Sequence, residues 1–96
     1  MNDPLQVTPL TIRPATAFSY DLGIHGLFTV NFSVPGVTPS SVVMASMTEI
    51  NSNGQPFVGD ATTTVHNVAP GNGNVRLRGE VGWSSDLSVR VYLLVN

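Results

Sequence analysis

Three stretches of this chain alternate apolar and polar residues without a break. In Phe28-Thr29-Val30-Asn31-Phe32-Ser33-Val34 the even positions are apolar. In Val75-Arg76-Leu77-Arg78-Gly79-Glu80-Val81 and in Leu87-Ser88-Val89-Arg90-Val91-Tyr92-Leu93 the odd positions carry the apolar set. Successive side chains of a strand point to opposite faces, so this period gives strands with one face buried and one wet. No window places apolar residues at i, i+3, i+4 and i+7 with helix caps, and valine and threonine are abundant while alanine, glutamate and lysine are scarce or absent. The chain is constrained to an all-β fold.

Weaker strands fall between the strong ones. Ser41 to Ile50 mixes Val42, Val43, Met44, Ala45 and Met47 and reads as a strand buried on both faces. Thr62 to Val68 is threonine-rich, as exposed strands often are. Leu5 to Ile12 forms a first strand that Pro9 restricts to a sheet edge. Pro35-Gly36, Asn53-Gly54 and Pro70-Gly71-Asn72-Gly73-Asn74 supply turns. Six or seven short strands of this kind predict an antiparallel β-sandwich. Residues 1–20, with Pro4, Pro9 and Pro14, are expected to form an N-terminal arm or edge strand, and residues 21–96 the sandwich domain.

The last two strong strands allow a register to be derived. Directly opposed residues of an antiparallel hairpin have a constant index sum, and both strands bury odd positions. A sum of 170 leaves Ser84, Ser85 and Asp86 in the turn and sets Trp83 opposite Leu87. Glu80 would then face Arg90, Arg78 would face Tyr92, and Arg76 would face Leu94, pairings that a sheet surface favours. Arg76, Arg78, Arg90, Tyr92 and Leu94 would thus share one outer face, and the apolar Tyr92 and Leu94 on it point to a subunit contact.

Composition narrows the function classes. The 96 residues contain no cysteine and no lysine, so there is no disulfide framework, thiolate zinc site or thiol nucleophile. Four arginines against six carboxylates, a net charge of -2, argue against a nucleic-acid partner. The apolar runs are too short to span a membrane as helices. Met1-Asn2-Asp3-Pro4 lacks the basic end and apolar stretch of a secretion signal. Charged residues make up only 10% of the chain, against the quarter or so of ordinary soluble domains. A surface so sparsely charged suits burial against further copies, or uncharged polar contact with a ligand.

Candidate sites follow from single residues. Trp83, the only tryptophan, sits at a turn, where its ring can stack on the apolar face of a sugar; continuing the inward odd set, it would instead cap the core end. Asp86 beside it is either an acceptor for sugar hydroxyls or the turn residue a hairpin favours. Tyr20 and Asp21 fall in an expected loop before the strongest strand, where binding residues concentrate. His25 and His66 lie far apart, with only Asp21 near His25, which makes a poor metal site, and no metal or other cofactor is expected. No G-x-S-x-G elbow is present, and no enzyme activity is expected. Asn51-Ser52-Asn53-Gly54 lacks the carboxylates of a calcium loop and reads as a turn. Asn31-Phe32-Ser33 is a formal glycosylation sequon in mid-strand.

The run from Phe28 to Val95 resembles the H-type lectin domain. The matching features are Val30-Asn31-Phe32-Ser33-Val34-Pro35, then Thr38-Pro39 ahead of Val42-Val43-Met44-Ala45-Ser46-Met47-Thr48-Glu49-Ile50. Val65-His66-Asn67-Val68-Ala69-Pro70 follows, and then a strand, Trp83, a turn and a strand ending in Val91-Tyr92-Leu93-Leu94-Val95. The resemblance implies a six-stranded antiparallel sandwich that forms a homotrimer or a multiple of one, with N-acetylgalactosamine-type sugars bound between subunits. The family's sugar-contacting arginine would stand at the start of the strand matching Asp60 to Val68, where this chain has Asp60, Ala61 and Thr62. The expected function is a carbohydrate-binding, non-catalytic oligomeric module with glycan partners. The alternative is a structural or assembly protein of a tail fibre, virion or cell surface that uses the sandwich for self-association. Both readings favour an extracellular, cell-surface or virion location.

Overall fold

The computed structural model describes residues 4–10 and 14–96. The described residues form seven strands: β1 (Thr16–Ile24), β2 (Gly26–Ser33), β3 (Val43–Ile50), β4 (Pro56–Phe57), β5 (Thr63–Pro70), β6 (Asn74–Val81) and β7 (Leu87–Val95). They form two antiparallel sheets, a four-stranded one in the order β1-β7-β3-β4 and a three-stranded one in the order β2-β6-β5. The protein is an all-β sandwich, as the alternation predicts. Among the described residues no helix is long and apolar enough to cross a membrane.

The core is the sum of the alternating faces. Phe28 and Phe32 of β2, Val75, Leu77 and Val81 of β6, and Val89, Val91 and Leu93 of β7 are buried, joined by Val34 and Val37 from the loop after β2. The two central strands contribute the residues with no exposure at all, Val75, Leu77, Val81, Val89 and Val91. Burying each such side chain favours the fold by about 1.5–3 kcal/mol relative to leaving it in water. Gly79 occupies an inward position on β6 because the Phe28 ring fills the space in front of it.

Two end-of-sandwich loops are locked to each other by backbone bonds. Gly36 adopts the left-handed conformation (φ 88°) that closes the Pro35-Gly36 turn. The Val34 amide donates to the Gly73 carbonyl at 3.0 Å, and the Gly73 amide donates to the Val37 carbonyl at 2.8 Å. At one long margin the sheets meet, and the Thr63 hydroxyl donates to the Met47 carbonyl at 3.4 Å. At the other, β1 and β2 are linked by His25 alone. There Tyr20 and Phe32 touch edge to face with ring centroids 5.5 Å apart.

The expected β6–β7 hairpin does not form. Gly82–Asp86 carries the chain from one sheet across to the other, so β6 pairs β2 and β5 while β7 pairs β1 and β3. Arg76, Arg78 and Glu80 therefore lie on the outer face of one sheet, and Arg90, Tyr92 and Leu94 on the outer face of the other. The physical reason is that a short loop after two strands with matching inward parity satisfies the same burial pattern as an arch between sheets. The charges find other partners. Arg90 pairs Asp21, and Glu80 pairs His66.

Two further expectations change. The described residues 5–10 form no strand, and residues 11 and 12 of the expected Leu5–Ile12 strand lie outside the described residues. The edge strand is β1, which runs unbroken through position 20. Asp21 is consequently in mid-strand opposite Arg90, not in a loop. The reason is that Phe18, Tyr20, Leu22 and Ile24 alternate with small or polar residues and lay one side toward the opposite sheet.

Candidate functional site

The loops at the Trp83 end of the sandwich converge. The chain leaves β4 through Val58–Thr62 and leaves β6 through Gly82–Asp86, and the Gly82 amide donates to the Thr62 carbonyl at 2.8 Å. The Trp83 amide donates back to the Val81 carbonyl at 2.8 Å, a tight bend that carries residue 83 out of the inward set. Trp83 does not cap the core; its side is 45% exposed. It forms one wall of a cleft of about 370 Å³ with Glu49, Phe57, Asp60 and Leu87. Val58 and Gly59 line the same cleft.

Glu49 is fixed by the absence of a side chain beside it. A Cβ at Gly59 would collide with the Glu49 carboxylate and approach Phe57 Cε2 to 3.1 Å. The glycine thus leaves room for the carboxylate to lie flat against the loop backbone beside the Phe57 ring. Glu49 and Phe57 are also register partners of the short β3–β4 pair. Asn51 makes that pair possible, because its side-chain oxygen accepts from the Asn53 and Gln55 amides at 2.9 and 3.0 Å and closes the turn around Gly54 (φ 74°). This segment is a turn, as its sequence predicts.

The cleft combines two partly exposed aromatic rings with two carboxylates, Glu49 and Asp60. Ring faces carry negative potential that suits the C–H face of a pyranose, and carboxylate oxygens accept from hydroxyls. Its size is that of a small-ligand site with a few polar groups among apolar walls. Asp86 is on the same arch but is engaged elsewhere, with its carboxylate on His25 Nδ1. The two histidines remain apart, and among the described residues no cluster of three metal-ligating side chains exists.

The remaining expected residues fall in other places. Tyr20 lines a separate cleft of about 390 Å³ at the β1–β2 margin with Leu22, Val30 and Phe32. Asp21 lies on the outer face of β1, where Arg90 Nε and Nη2 donate to its two carboxylate oxygens at 2.6 and 3.1 Å. The bonds from Arg90 hold the Asp21 carboxyl below its ordinary pKa, and the same contact, with a smaller one from Tyr92, raises that of Arg90. The structure brings Trp83 together with neither Tyr20 nor Asp21. Arg76 and Arg78 flank a shallow cleft with Thr29 and Asn67 on the opposite sheet from Arg90, Tyr92 and Leu94.

No sequence pattern singles out Glu49 or Phe57 as a site residue, and Asp60 enters only through the resemblance. The available signal was Phe57-Val58-Gly59-Asp60, two large apolar residues in a segment too short and turn-rich to bury them. Comparison of the chain with protein-family models, curated proteins and solved structures finds no match.

Proposed function

We propose that the protein is a non-catalytic carbohydrate-binding module and that the Trp83 cleft is its sugar site. The observation that carries this reading is the pairing of half-exposed Trp83 and Phe57 with Glu49 and Asp60 in one cleft of about 370 Å³. A pyranose ring stacks on the indole, and its hydroxyls bond to the two carboxylates. The resemblance of residues 28–95 to H-type lectins supports the same ligand class, with neutral N-acetylated hexosamines the first sugars to examine. Two carboxylates and no arginine line this cleft, so neutral sugars fit better than acidic ones.

Trp83 is the only tryptophan, which makes its fluorescence a direct reporter. Titration with a panel of neutral mono- and oligosaccharides is expected to shift its emission and protect it from iodide. Glu49→Gln is expected to weaken that response. An unchanged spectrum across the panel at about 10 mM, a concentration that detects millimolar affinity, together with a silent glycan array, would sink the reading.

A second reading, a packing unit of a larger assembly, is favoured by the apolar outer face at Met44 and Leu94, which are 64% and 44% exposed.

A further inference from the structure

On the outer face of the β2-β6-β5 sheet, Arg76 and Arg78 stand at alternate positions of β6, about 6.6 Å apart along the strand. Asn31 of β2 and Ala69 of β5 flank Arg76, and Thr29 and Asn67 flank Arg78. All six residues are exposed. The one carboxylate on these three strands is Glu80, and it is bonded to His66 Nε2 at 3.2 Å. Among the described residues neither the Arg76 nor the Arg78 guanidinium has a hydrogen-bond or ion-pair partner, whereas Arg90 is held by Asp21. With six carboxylates against four arginines the chain could pair every one, yet two like charges stand bare beside each other. Such a pair favours an anion from outside.

Two departures from a regular sheet face shape the surface around them. β5 bulges between Val65 and Asn67. A regular strand would set Asn67 opposite Leu77, with its amide aimed at the core; the bulge sets it opposite Arg78 on the outer face instead. Ala69, opposite Arg76, has no side chain beyond Cβ, so the surface sinks beside the arginine. The result is a cleft of about 290 Å³ lined by Thr29, Asn67, Ala69, Leu77 and the two arginines. Its polar groups are two guanidiniums, an amide and a hydroxyl, with no carboxylate among them.

A guanidinium presents its N–H donors as a planar fork and accepts nothing, which matches two oxygens of one anion. A single fork satisfies a carboxylate. Two forks with an amide and a hydroxyl beside them offer more donors than two oxygens use, and two positive charges. A phosphate monoester has three outer oxygens and nearly two negative charges at neutral pH, and it meets both conditions. We infer that the Arg76–Arg78 cleft binds a phosphate group, free or carried as a monoester on a small molecule, with both guanidiniums, the Asn67 amide and the Thr29 hydroxyl as donors. A phosphodiester has two free oxygens and one charge and leaves part of this donor set unused. The inference stands apart from the Trp83 cleft, whose Glu49 and Asp60 would repel the same group.

The chain has four arginines, few enough to follow their side-chain N–H signals one by one in a proton–nitrogen correlation spectrum. The full chain is titrated at constant ionic strength with inorganic phosphate, a hexose phosphate and dimethyl phosphate. The Arg76 and Arg78 signals are expected to shift saturably with the first two, while Arg90, occupied by Asp21, stays in place. Dimethyl phosphate is expected to bind roughly tenfold more weakly. Tighter binding of the hexose phosphate than of inorganic phosphate assigns the monoester as the ligand, and the reverse order assigns the free ion; both uphold the site. Arg76→Gln and Arg78→Gln should each weaken binding by roughly tenfold or more, and Arg78→Lys, which keeps the charge but loses the fork, by several-fold. Ala69→Leu should weaken it by roughly tenfold with both arginines in place, because the leucine fills the hollow, whereas Ala69→Ser should bind as the parent does. These positions are exposed, so urea midpoints of the variants should match the parent's. No saturable shift up to about 10 mM phosphate, equal shifts at Arg90, or binding that Ala69→Leu leaves unchanged overturns the inference.

Discussion

Arg90 on β7 binds Asp21 on β1 with both forks of its guanidinium, at 2.6 Å through Nε and 3.1 Å through Nη2, across 69 residues of sequence. The two residues are direct register partners on the outer face of the sheet. This pair ties the edge strand to the central strand at the polar end of a face whose other end is apolar, and it neutralises the charged residues standing there.

A pH dependence follows from it. Arg90 hydrogen-bonds the ionised Asp21 carboxyl and lowers its pKa in the folded protein. The unfolded chain therefore takes up the proton first, at the ordinary value of about 3.9. The stabilisation is complete above that value and is lost as the pH falls through the lower folded one. Asp21→Asn should be modestly less stable than the parent at neutral pH, both groups being solvent-accessible. The gap should close below about pH 4. Urea midpoints of both proteins from neutral to strongly acid pH measure it, and a gap that does not change with pH would remove the charge contribution.

The same pair shows what the sequence makes legible. The strand positions of β2, β6 and β7 and their buried faces are written in the alternation of Phe28–Val34, Val75–Val81 and Leu87–Leu93. Strand partners are not, because burial parity is satisfied equally by a hairpin and by an arch between sheets. Arg90 can be matched with Glu80 on parity, yet its partner stands 69 residues away in a segment whose sequence reads as a loop. The spacing of Val65 and Val68 held a readable signal. Both face inward, three residues apart, because β5 bulges between Val65 and Asn67 and leaves His66 outside against Glu80 at 3.2 Å. Of the candidate site, Trp83 was legible as a lone turn aromatic. Glu49 and Asp60 were not, since they come from different elements that only the β3–β4 turn and the arch bring together.

The arch between the sheets can be tested directly, since the chain has no native cysteine to interfere. Opposed residues of an antiparallel pair have Cα atoms about 4.5–5.5 Å apart, inside the range a disulfide spans. Ser19 and Tyr92 are such a pair. Ser19→Cys/Tyr92→Cys should lose both free thiols on mild oxidation without forming dimers. Glu80→Cys/Arg90→Cys should keep them, because those positions lie on opposite outer faces of two sheets packed about 10 Å apart. Intramolecular closure of the second variant would favour the hairpin over the arch. Mass spectrometry of alkylated protein distinguishes the two.

Gly79 of β6 leaves room for its sheet neighbours on β2 and β5. A Cβ there would lie 2.9 Å from the Thr64 carbonyl oxygen and 3.0 Å from Phe28 Cζ. Backbone cannot withdraw as a side chain can, so Gly79→Ala should cost about 1–3 kcal/mol through overpacking. Phe28→Leu in the same chain should recover only part of it, since the Thr64 contact remains. For comparison, Leu77→Ala, at a position with no exposure, should cost about 2–5 kcal/mol through the opposite fault, a cavity. Chemical denaturation of the four proteins gives the ordering. A Gly79→Ala protein as stable as the parent would mean that β5 yields at its bulge and takes up the added carbon.

Gly59 separates stability from binding. The atom its added Cβ would strike is the end of the Glu49 side chain, which can swing away, and the next neighbour is the Phe57 ring at 3.1 Å. Gly59 has no left-handed backbone to protect, since only Gly26, Gly36, Gly54 and Gly73 among the described residues have positive φ. Gly59→Ala should therefore leave the unfolding midpoint close to the parent's, within about 0.5 kcal/mol. It should nevertheless displace the Glu49 carboxylate and weaken the sugar response of Trp83 as strongly as Glu49→Gln does. A substitution that changes one readout and spares the other is what a binding cleft requires. If Gly59→Ala lowers the midpoint and leaves the fluorescence titration unchanged, Glu49 is a structural residue of the β3–β4 turn and the sugar must be held by Trp83 and Asp60 without it.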